Sequence, residues 1–76
     1  MLALEKIIAK VLGVDEALIT DEAGPDSIES WDSFNALLLI AEMEKNFNTT
    51  FTLDEVAGVK TVADIKKILN KREISF

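Results

Sequence analysis

The 76-residue chain contains no cysteine and no histidine. These two absences remove the thiolate nucleophile, the disulfide, the thiolate and imidazole ligands of a zinc site and the Ser-His-Asp triad. The nucleophiles that remain are hydroxyls and lysines, with no imidazole to activate them. Missing cysteine does not identify a compartment, because it fits reducing and oxidising surroundings alike. Basic residues are also scarce, 8 against 14 acids for a net charge of -6, so attraction to a phosphate backbone is unfavourable and nucleic acid is a poor partner. Long apolar runs are lacking too. The longest, Ala36 to Ala41, falls far short of the roughly 20 residues that span a bilayer, and no membrane segment is expected. The N-terminal stretch from Met1 to Lys6 is charged within its first turn and reads as the start of a mature domain rather than a signal peptide. A chain this short buries only about 60–65% of the surface its unfolded form exposes, which predicts one small domain over 1–76 and no deep substrate cleft.

What is present is helical periodicity. Leu4, Ile7, Ile8, Val11 and Leu12 share one stripe, with Glu5, Lys6 and Lys10 outside it and Gly13 as a stop signal. From Val14 to Trp31 no helical period survives, and Gly24-Pro25 marks a turn. So long a connection is expected to be ordered, pinned by its own Leu18, Ile19 and Ile28. Ser33 to Phe47 has strong helix formers without glycine or proline, and Asp32 stands ready to cap its first turn. A short helical piece is expected over Asp54 to Ala57, ended by Gly58. Thr61-Val62-Ala63-Asp64 fits a capping box opening a last helix, with Val62, Ile65, Ile68 and Leu69 on its apolar face. The predicted fold class is all-α: a small four-helix bundle of three main helices and a short third, with a long ordered loop between the first two.

Charge is unevenly spread. Between Gly13 and Val59 the acids number eleven and the one base is Lys45, whereas Lys60, Lys66, Lys67, Lys71 and Arg72 follow. The acidic middle is either a solvated face or a docking surface for basic partners. No twelve-residue calcium loop is present, and no metal site is expected.

On a helical wheel of 33–47, stepping about 100° per residue, Ala36, Leu39, Ile40, Met43 and Phe47 form a core stripe, while Asn35, Glu42 and Asn46 form a wet face. A further arc holds Phe34, Leu37, Leu38 and Ala41, with Glu44 and Lys45 at its far end. These apolar residues exceed what one stripe needs. Either the loop folds back over them or they form an exposed contact patch beside Ser33. Ser33 itself, like Ser27 and Ser30, could simply satisfy backbone amides at a helix start.

Asp32-Ser33 followed by a large apolar residue, at the head of a helix ending Glu44-Lys45-Asn46-Phe47, resembles the acyl carrier protein family. The likeness runs through nearly the whole chain, from the first amphipathic helix and acidic loop to the Thr-Val-x-Asp helix. It implies that Ser33 carries 4'-phosphopantetheine, transferred from coenzyme A by a phosphopantetheinyl transferase, and that Asp32 helps present the site. Acyl groups would ride as thioesters on the arm and pass to partner enzymes of fatty acid, polyketide or related lipid synthesis, the carrier itself being no enzyme. By the same likeness Phe34, Leu37, Leu38, Ala41, Glu44 and Val59 meet those partners. A cytoplasmic monomer is implied. The Trp31-Asp32-Ser33 start looks like that of specialised, free-standing carriers, and Leu38 and Lys45 stand where the familiar helix is acidic. Two other readings share the fold: a carrier of aminoacyl or peptidyl groups, and a helical interaction module in which Ser33 is only a cap.

Overall fold

The computed structural model describes residues 4–76; Met1 to Ala3, at which the N-terminal reading begins, lie outside the described residues. Helix α1 spans Leu4–Leu12 and buries Leu4, Ile8, Ala9 and Leu12. Gly13 ends it at φ 67, a left-handed backbone that glycine adopts without steric penalty. Helix α2 spans Ser33–Phe47 and closes on Asn48, also left-handed, whose amide donates to the Glu44 carbonyl.

The short helix α3, Leu53–Gly58, is a residue longer at each end than the sequence predicts. Its start is fixed by a capping box: Thr52 Oγ1 accepts the Glu55 amide at 3.1 Å and Glu55 Oε1 accepts the Thr52 amide at 2.9 Å. Helix α4, Val62–Lys71, opens where the Thr-Val-x-Asp pattern places it. There Asp64 Oδ2 accepts the amides of Lys60 and Thr61 at 2.8 and 3.1 Å. The helices share one apolar core, in which Leu4, Ile8, Leu39, Met43, Ile65 and Leu69 are fully buried. Each such side chain contributes about 1.5–3 kcal/mol of burial. Among the described residues there is no strand, and the predicted all-α class stands.

The long loop is ordered, but not by all the residues expected to pin it. Ile19 and Ile28 are buried, whereas Leu18 is 56% exposed. A single turn of 3-10 helix, Glu16–Leu18, accounts for this: Asp15 caps it and Leu18 turns outward just before Ile19 turns in. Ala23 and Trp31 complete the loop's share of the core. The loop also supplies the first amides of α4, as the Val62 amide donates to the Ala23 carbonyl (2.9 Å) and the Ala63 amide to that of Asp21 (3.0 Å). Lys66 on α4 adds ion pairs to Asp21 and to Glu5 of α1, at 2.6 and 3.1 Å.

Candidate functional site

The head of α2 is held from three sides. Trp31, only 4% exposed, sinks into the core immediately before the helix. Ser30 Oγ donates to the Leu12 carbonyl at 2.8 Å, tying the loop to the end of α1, and Asn35 Nδ2 donates back to the Ser30 carbonyl at 2.7 Å. Asp32 then caps the helix, its Oδ1 accepting the Asn35 amide at 2.8 Å.

The cap is therefore Asp32, and Ser33 is the first helical residue. Ser33 is exposed, and its hydroxyl enters no hydrogen bond among the described residues. Ser27 and Ser30, the serines of the preceding loop, are occupied: Ser27 Oγ accepts the Gly24 amide, and Ser30 holds Leu12. With the Asn35 amide taken by Asp32, the amides of Ser33 and Phe34 are left at the positive end of a 15-residue helix, where a phosphate is favoured.

Around this hydroxyl the surplus apolar arc is open. Phe34 is 69%, Leu37 64% and Leu38 41% exposed, and Ala41 is exposed as well. The loop does not fold over them. Val59 lies half-buried just beyond α3, packed against the core. Glu44 is half-buried, its Oε2 accepting the Phe51 amide at 2.8 Å, so one carboxylate oxygen already holds the α2–α3 connection. The wet face differs from expectation. Asn35, Glu42 and Asn46 are half-buried, Glu42 and Asn46 lying in the groove beside α1, where Asn46 Nδ2 bonds back to the Glu42 carbonyl and carboxylate.

Ser30, Trp31 and Asn35 position the site, a role the sequence reading does not assign to them. Asn35 carried a faint signal, since amide side chains in a first turn often bond nearby backbone. The Ser30–Leu12 bond crosses the whole loop and has none.

The family profile described as "Phosphopantetheine attachment site" matches residues 3–69. The chain belongs to this family. Its cofactor is accordingly covalent 4'-phosphopantetheine, and the domain is a carrier rather than an enzyme. Carriers of this kind work with phosphopantetheinyl transferases and acyl-handling enzymes. In fold the carrier is similar to a solved Mycobacterium tuberculosis protein described as an acyl carrier protein. The match has a TM-score of 0.79 at 24% identity and covers 92% of this chain and 99% of the other.

Proposed function

We propose that the carrier is an acyl carrier protein in which Ser33 Oγ forms the phosphoester to the arm, serving fatty acid, polyketide or related lipid synthesis. The observation that carries the reading is the free, exposed Ser33 hydroxyl beside a cap supplied by its neighbour. Had Ser33 been the cap, its oxygen would be committed to an amide. Asp32 instead fixes the helix start and leaves the serine open, which is how it presents the site to the transferase. The transferase supplies the base that the chain lacks.

When attached, the arm supplies a terminal thiol on which acyl groups are held as thioesters. The chain's own residues do three things: Ser33 anchors, the amides of Ser33 and Phe34 favour the phosphate, and Phe34, Leu37, Leu38 and Ala41 offer the surface on which partner enzymes settle. The family resemblance adds Val59, half-buried just beyond α3, and Glu44, through the carboxylate oxygen not given to Phe51, as further partner contacts.

The test is intact mass after incubation with coenzyme A, magnesium and a broad-specificity phosphopantetheinyl transferase. The wild type should gain one arm and Ser33→Ala none. Labelling of both proteins, or of neither, overturns the assignment of Ser33.

A further inference from the structure

On the side of α2 turned toward α1 lies an open groove of about 590 Å³. Its apolar lining is Ile7 and Val11 from α1 with Leu38 and Ala41 from α2. Three lysines line it as well: Lys6 and Lys10, one turn apart on α1, and Lys45 on α2. All three lysines are exposed, and none forms an ion pair among the described residues. The groove's one carboxylate, Glu42, is engaged by Asn46. A molecule of net charge -6 thus gathers three of its 8 basic side chains around one apolar surface.

We propose that this groove docks an acidic, amphipathic helix of a partner protein. Charge complementarity selects the occupant. The cations sit on both walls, and Lys6 and Lys10 are about 6 Å apart along the axis of α1, so a ligand needs several anions spaced along its length and an apolar stripe between them. A helix with carboxylates at i and i+4 has that spacing, whereas a fatty acid has one anion. An anionic bilayer meets the opposing charge of the rest of the molecule. Leu38 and Ala41 belong both to this groove and to the patch beside Ser33, so a partner gripping the patch reaches the lysines without a gap. The proposal rests on the carrier reading in taking that partner to be one that serves the arm.

The probe is a synthetic helical peptide with glutamates at i and i+4 flanking a leucine stripe, titrated against the isotope-labelled chain by NMR. Amide shifts should centre on Ile7, Lys10, Val11, Ala41 and Lys45. Raising salt from about 0.1 M to about 1 M, which shortens the screening length from about 10 Å to about 3 Å, should weaken binding at least about tenfold. The triple variant Lys6→Gln/Lys10→Gln/Lys45→Gln, its fold checked by circular dichroism, should lose about tenfold in affinity. Absence of binding, shifts mapping elsewhere, an unchanged triple variant, or equal binding of the peptide with lysines for its glutamates overturns the proposal. So does the same groove responding to monomeric laurate, to phosphatidylglycerol vesicles or to self-association on concentration instead of to the peptide. Arm loading at Ser33 is read separately by mass. Loading without peptide binding rejects the groove and keeps the carrier, and peptide binding without loading rejects Ser33 and keeps the groove.

Discussion

Gly24 joins the loop to α4 by having no side chain. A Cβ built there would lie 2.3 Å from the Lys60 carbonyl oxygen, a backbone atom that cannot swing aside. The close approach is what lets the Ala23 and Asp21 carbonyls reach the first amides of α4. Gly24→Ala is expected to destabilise the fold by about 1–3 kcal/mol, read as a lower urea midpoint with unchanged slope. A midpoint equal to wild type means the contact is not tight. The turn itself is legible in Gly24-Pro25, but its tenant is not, because nothing local to residue 24 points to residue 60. Asp32 and Ser33 show the same limit at closer range. Either could cap a helix by residue type, and only the bond from the Asn35 amide to Asp32 decides between them.

At the level of elements, α3 and α4 are clasped by Glu55 and Arg72. The Arg72 guanidinium first, and the Thr52 amide next, pull the Glu55 carboxyl down from its ordinary 4.5 to about 2. Because the folded value is the lower one, the clasp contributes fully above about pH 4.5 and is lost as pH falls toward about 2. The excess Tm of wild type over Glu55→Gln should therefore hold constant at neutral pH and shrink to a small remainder at about pH 2. An excess unchanged at pH 2 removes the clasp from the account. Relief of acidic self-repulsion is common to both proteins and cancels in the difference. In α2, the wheel separates the buried Leu39 and Met43 from the exposed Phe34, Leu37 and Leu38 without help from structure. It misplaces Asn35, Glu42 and Asn46, because a wheel shows one helix and not the neighbour laid beside it. Leu37→Arg follows from the part it shows: thermal melting should stay within a few degrees of wild type while turnover of the loaded carrier by an acyl-handling enzyme drops. A variant that melts early places Leu37 in the core after all.

Across the molecule, the order and kind of the four helices are legible because each carries its own start signal, stop signal or stripe. The loop's path is not, since Ser30 to Leu12, Val62 to Ala23 and Lys66 to Asp21 are bonds between distant parts of the chain. That path, together with Trp31, sets how much room the bundle has inside. Between α2, α3 and α4 the space bounded by Trp31, Leu39, Ile40, Val56 and Ile65 is about 40 Å³, close to the ~30 Å³ that one water occupies in the liquid. An eight-carbon chain needs several times that, and close-packed side chains do not yield such volume without repacking. Cargo on the proposed Ser33 arm is therefore expected to stay outside. Trp31 is the one tryptophan and lines this space, so its emission reports directly. Octanoyl and unacylated arms should give the same emission maximum and the same Tm. A chain that enters must displace Trp31 or its neighbours, and a shifted emission with a higher Tm on octanoylation would show that it does.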